Sequence, residues 1–164
     1  MLERLLGSGW GSITIELPVE PFTFGETVEG AISLMAKQDI GPGFLTMALI
    51  CNERQSRVVP VKRGRGISAS NQRSRREIWR NEVDVDEGLV VEEGATITMP
   101  WSLDVPENDP SSSGPADIPD WAKGTLAVLD NLTMSDRFLV YRLEARFAHD
   151  AGFTIRRNLN IHIL

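Results

Sequence analysis

A single cysteine, Cys51, in 164 residues excludes an internal disulfide, and nothing else in the chain suggests an oxidising compartment. Long apolar runs are also missing. No stretch approaches the ~20 residues of a helical membrane span. The opening Met1-Leu2-Glu3-Arg4-Leu5-Leu6-Gly7 is broken by charge and is shorter than a signal-peptide core of roughly 7–15 residues. These absences predict a cytoplasmic protein with no stable membrane insertion. Histidine is scarce: only His149 and His162 are available. No Gly-x-Ser-x-Gly elbow supports a nucleophile. The expectation is a non-enzyme, with Cys51 a buried thiol in FLTMALIC and the histidines in or beside the last strands. Asp84-Val85-Asp86-Glu87-Gly88 starts like a calcium loop, but its glycine comes fifth, where the twelve-residue loop needs it sixth. Lys62-Arg63-Gly64-Arg65-Gly66 lacks the Gly-Lys-Ser/Thr ending of a phosphate loop. No metal and no cofactor are expected, and no internal repeat is found.

What is present is an ordinary globular composition, 41% hydrophobic and 24% charged, long enough for one domain with a sizeable core. The net charge of −6 argues against nucleic acid as a partner. The charges are segregated along the chain. Nine of the 17 basic residues lie between Arg54 and Arg80, opposed only by Glu77. From Asn81 to Ala122 there is no Lys or Arg, against eleven Asp and Glu.

The hydrophobic pattern has a period of two. Ile13, Ile15 and Leu17 alternate with polar residues. A short turn at Phe24-Gly25-Glu26 then leads to a second strand through Val28, Ile32 and Leu34. Asp39-Ile40-Gly41-Pro42-Gly43 is a strong turn signal. Phe44–Cys51, nearly all apolar, suits a strand buried on both faces. Lys62 to Ser74, with Gly64 and Gly66 and no apolar rhythm, reads as a mobile basic loop. Thr96 to Val105 alternates cleanly, and Pro100 marks it as an edge or a bulge. Pro106 to Pro119 is a Pro/Ser/Asp-rich loop, and a short helical turn is expected around Trp121, Ala122 and Leu126. Arg137 to Phe147 sets Leu139, Tyr141, Leu143, Ala145 and Phe147 against a mostly charged face, and Phe153 to Leu164 closes the chain. The expected architecture is an all-β, antiparallel, immunoglobulin-like sandwich of about seven or eight strands. It would occupy residues 12–164 behind a flexible leader at 1–11.

Three stretches resemble one family in order. Gly25-Glu26-x-Val28-x-Gly30-x-Ile32 is similar to the opening of an arrestin-like β-sandwich. Thr96 to Ser113 resembles its strand ending in a proline-bearing loop. Val140 to Phe147, followed by Asn160-Ile161-His162-Ile163, resembles its closing strand pair. The chain accounts for a single lobe and is most similar to the short bacterial members of the sporulation-control type. The resemblance implies a regulatory or adaptor protein. Without a second lobe, receptor and clathrin functions are not carried over.

Two surfaces then stand out as candidates. Arg63, Arg65, Arg73, Arg75 and Arg76 offer guanidinium groups to an acidic or phosphorylated protein segment, because such groups pair bidentately with carboxylate and phosphate. The bland alternative is a solvated loop. The first strand, Ser12 to Leu17, offers a sheet edge to a partner strand or to a second copy, as a homodimer. An alternative function is a ligand-binding module that takes a carbohydrate or lipid on Trp10, Trp79 or Trp121.

Overall fold

The structure, a computed structural model of the chain, describes residues 9–18, 20–110 and 136–164. Seven strands are described: β1 (Gly11–Glu16), β2 (Thr27–Ala36), β3 (Ile40–Arg63), β4 (Gly66–Val91), β5 (Thr96–Asp104), β6 (Asp136–His149) and β7 (Thr154–Ile161). They form two antiparallel sheets, ordered β1-β2-β5 and β4-β3-β6-β7, and the fold is the expected sandwich. Residues 1–8 of the expected leader, the helical turn at Trp121, and residues 111–119 of the Pro/Ser/Asp-rich stretch lie outside the described residues.

By its contacts the chain divides into two compact units: Met1–Ile50, Arg80–Asn108 and Tyr141–Leu164 form the first, and Cys51–Trp79 and Asp109–Val140 the second. The first unit contains the sandwich core. β1 and β2 pair from Gly11↔Ala36 to Glu16↔Ala31, and β5 pairs the other side of β2 from Thr27↔Asp104 to Met35↔Thr96. Their inward rows, Ile13, Val28, Ile32, Leu34, Trp101 and Leu103, are buried. The opposing sheet contributes Leu45, Met47, Leu49, Val91, Leu143 and Phe147. Pro100 does sit on an edge strand, and Tyr141, Leu143, Ala145 and Phe147 do face inward, because alternation along a half-buried strand reports directly which side is dry. β3 lies inside its sheet, and from Leu45 to Ile50 it is buried on both faces.

The Gly25-Glu26 motif has a physical explanation at each position. Gly25 turns at φ 78°, a conformation that costs other residues about 1–2 kcal/mol. The Glu26 carboxylate accepts the Thr23 backbone N–H at 2.8 Å, and the Glu26 carbonyl accepts the Val105 N–H at 2.8 Å. Val28 and Ile32 enter the core. Gly30 faces Trp101 in register, and a Cβ there would come within 2.6 Å of the indole Cζ2. Its missing side chain is the space in which the tryptophan lies.

Four expectations need correction. The link between the first two strands is not a short turn: it runs from residue 17 to 26, and within it Phe22 is buried and bridges to Ile163. The leader's glycines do not keep all of it irregular, since Gly11 starts β1. A Cβ at Gly11 would come within 3.3 Å of Ile155 Cδ1, so this glycine allows a close approach. Gly41-Pro42-Gly43 is not a turn but the start of β3. A side chain on Gly41 would meet the backbone of Leu89, and one on Gly43 would meet the Phe147 ring at 2.6 Å. Composition flagged these glycines correctly as special, but the reason is tight flanking by neighbouring strands. Finally, Lys62 to Ser74 is not a loop, and the consequences belong to the candidate site.

Candidate functional site

β3 and β4 are 24 and 26 residues long, far beyond the usual 5–6 of a sandwich strand. In the second unit they run on as a ribbon of paired strands joined by the two-residue turn Gly64-Arg65, and the first residues of β6 belong to the same unit. Gly64 has φ 58°, and both favoured two-residue hairpin turns need a positive φ at this position. Nothing lies within 4 Å of the place a Cβ would occupy, so conformation and not crowding selects glycine.

A two-residue turn sets the register of the strands it joins. It places Arg63 opposite Gly66, and counting outward from there places Glu53 opposite Arg76. Those two side chains are in fact paired, Nη2 to Oε2 at 3.4 Å, with Glu53 9% exposed and Arg76 70%. Ser68 donates its hydroxyl to the Val61 carbonyl at 3.4 Å, and Ser56 donates to Asn71 Oδ1 at 2.8 Å. The first joins residues directly opposite in this register, and the second joins diagonal neighbours on one face.

This register separates the five arginines expected to act together. All five are exposed. Arg63 and Arg65 sit at the tip, whereas Arg73, Arg75 and Arg76 lie about 23–33 Å away at ~3.3 Å per residue. By alternation Arg73 and Arg75 share one face, and Arg63 and Arg76 lie on the other. Two further arginines, Arg54 and Arg57, join the distal group from the opposite strand; Arg54 falls opposite Arg75. The sequence held the signal for them, a Gly-Arg-Gly turn between Val58-Val59-Pro60-Val61 and Ile67, but the loop reading hid it. Residues 51–79 carry eight Lys and Arg against Glu53 and Glu77, a net of +6; with the chain at −6, the remaining residues hold −12.

Charge on the sandwich is handled differently. Glu144 is shared by Arg80 at 3.9 Å and Arg142 at 3.8 Å, and Arg80 also reaches Glu82 at 2.8 Å. The histidines there have structural partners. His149 Nδ1 accepts the Ala151 N–H at 2.8 Å, and its ring stacks on Phe153, which stacks in turn on Trp10. Trp10 is therefore no free platform. His162 Nδ1 lies 3.0 Å from Glu20 Oε2. Cys51 is buried. Asp84 to Gly88 continue β4 as extended strand and do not curl around an ion, and among the described residues no cluster of three His, Cys, Asp or Glu is placed for a metal. β1 does lie at the edge of its sheet.

No protein-family model and no curated protein sequence matches this chain. Among solved structures, the sporulation control protein Spo0M from Bacillus subtilis superposes with a TM-score of 0.55 at 13% identity, over 94% of this chain and 49% of that one. The fold is shared. This chain spans about half the length of Spo0M. A β-glucosidase of saponin metabolism from intestinal bacteria and one from Listeria innocua also align, at 14% and 8% identity, covering 93% and 94% of this chain and 16% and 17% of theirs. Their TM-scores of 0.27 and 0.24 are too low to bear on this chain. Among the described residues no helix is long and apolar enough to cross a membrane.

Proposed function

We propose that this chain is a non-catalytic, cytoplasmic regulatory adaptor of the arrestin-like, sporulation-control type, and that the distal half of its ribbon binds an acidic or phosphorylated segment of a partner protein. The observation that carries the reading is the run from Arg54 to Arg76: eight basic residues and no acidic one, held on paired strands where most side chains are exposed. Like charges placed opposite each other, as Arg54 and Arg75 are, weaken strand pairing. An acidic segment laid along Arg54, Arg73 and Arg75, which share one face of the ribbon, offsets that repulsion and gains charge-assisted hydrogen bonds. The engaged histidines and buried Cys51 support a role without catalysis, and the likeness to a sporulation control protein supports a regulatory one.

The test compares wild type with the Arg54→Ser, Arg73→Ser, Arg75→Ser, Arg76→Ser variant by isothermal titration against a poly-glutamate peptide, a multiply phosphorylated peptide and duplex DNA. Binding of a peptide that the variant loses supports the adaptor. Binding of DNA alone would make the ribbon a nucleic-acid element, and binding of the peptides unchanged by the variant would move attention to the β1 edge.

A further inference from the structure

The tip of the ribbon has a different chemistry from its distal half. Ile67 is 81% exposed, more than any other large hydrophobic residue among those described. By the turn's register it stands opposite Lys62, and Arg63 and Arg65 complete the tip. Gly64 and Gly66 carry no side chains, and nothing but the Arg63 carbonyl, at 3.9 Å, lies within 4 Å of where theirs would be. The tip is thus slim, with one aliphatic side chain among three cations. Its nearest acids along the ribbon are Glu53 and Glu77, about 30 Å away at ~3.3 Å per residue. That is several Debye lengths at physiological salt, where one length is about 8 Å. Along the described ribbon, therefore, no acid lies within a Debye length of the tip's cations.

We infer that this tip docks reversibly on an anionic lipid bilayer: Lys62, Arg63 and Arg65 engage headgroup phosphates and carboxylates while Ile67 enters the boundary with the acyl chains. The chemistry is complementary part by part. Cations alone would suit any polyanion, but an exposed aliphatic side chain gains nothing from nucleic-acid phosphate or from a carboxylate-rich peptide. It gains by leaving water only where an apolar phase lies beside the charges. The two-residue turn keeps the backbone paired up to the tip, which limits the polar groups that must be dehydrated. The proposal is independent of the peptide-binding reading because it uses other residues. Together they would place an adaptor's partner at a membrane surface.

The experiment sediments the purified full chain with vesicles of phosphatidylcholine alone and of phosphatidylcholine with phosphatidylserine. Wild type is expected to bind only the anionic vesicles. Each cation near such a surface contributes about fivefold, so the Lys62→Ser, Arg63→Ser, Arg65→Ser variant should bind on the order of 100-fold more weakly. Ile67→Ser should cost roughly tenfold with no change of charge. The Arg54→Ser, Arg73→Ser, Arg75→Ser, Arg76→Ser variant should stay within about threefold of wild type, since those residues lie beyond a Debye length from the tip. Ile67→Trp gives a second readout, a blue shift of emission with anionic vesicles only. Failure to bind anionic vesicles overturns the proposal. So does Ile67→Ser binding as well as wild type, which would mean adsorption by charge alone. A loss in the distal variant as large as that in the tip variant would mean the ribbon lies flat, and would also overturn it. None of these outcomes decides the peptide titration.

Discussion

Leu49 and Arg54 lie five residues apart on the same strand, yet they belong to regions that are stabilised in different ways. Around Leu49, β3 is buried on both faces within the sandwich unit, and its contribution is mainly area removed from water and close packing. Beyond Arg54, in the second unit, the same backbone pattern carries mostly exposed side chains, a net positive charge and only a few side-chain hydrogen bonds. Regular hydrogen bonding is shared by both regions and so does not distinguish them. What differs, among the described residues, is how much of the strand's side-chain surface is buried. A long strand that outruns its core becomes a carrier of surface chemistry, and in this chain that chemistry is almost entirely cationic.

The contrast can be tested most severely in the core. Phe147→Ala removes a fully buried ring and should cost about 3–5 kcal/mol, read as a lower urea midpoint for the sandwich. A loss near zero would mean that this unit is not packed as described. Gly30→Ala comes next. The new methyl would collide with the Trp101 ring and with the Glu16 carbonyl, and overpacking of this kind costs about 1–3 kcal/mol. Adding Trp101→Leu should recover part of the loss, and no recovery in the double variant would sink the proposed fit between them.

On the ribbon, Gly64→Val forces a β-branched residue into positive φ, at about 1–2 kcal/mol. Hydrogen exchange should quicken at amides from Val58 to Asn71 while those of Leu45 to Ile50 keep their protection. Uniform quickening would mean the two units open together. The smallest effect belongs to Arg76→Ala. It removes a pair whose cationic partner is mostly exposed, so less than about 1 kcal/mol is expected, and the change in urea midpoint should fade at high salt. A salt-independent loss would point to packing by the arginine stem.

Much of the fold was legible in advance because its signals are local. Ile97, Met99, Trp101 and Leu103 share a face because the strand alternates sides at every residue, whatever lies next to it. Phe44–Cys51 suggested a strand covered on both sides because Thr46 is its one polar residue, and from Leu45 to Ile50 it is so covered. The candidate site was only half legible: the run of arginines was visible, but its arrangement was not. Reading Gly64 and Gly66 as loop residues merged Arg63 and Arg65 with Arg73, Arg75 and Arg76 into one cluster. In the structure a single turn separates the tip from the distal group and brings Arg54 and Arg57 to the latter.

By itself, then, the sequence determined which residues alternate, which strand is fully covered and where charge accumulates, because each depends on composition and on the pleat of a single strand. Only the tertiary structure decided that Gly41 and Gly43 make room for neighbouring strands, that Gly30 holds the Trp101 ring, and that Ile67 stands exposed opposite Lys62. Those facts depend on which strands pair and in what register, and pairing joins residues such as Gly30 and Trp101 that are 71 positions apart in the chain. No local pattern of side chains encodes such a distance.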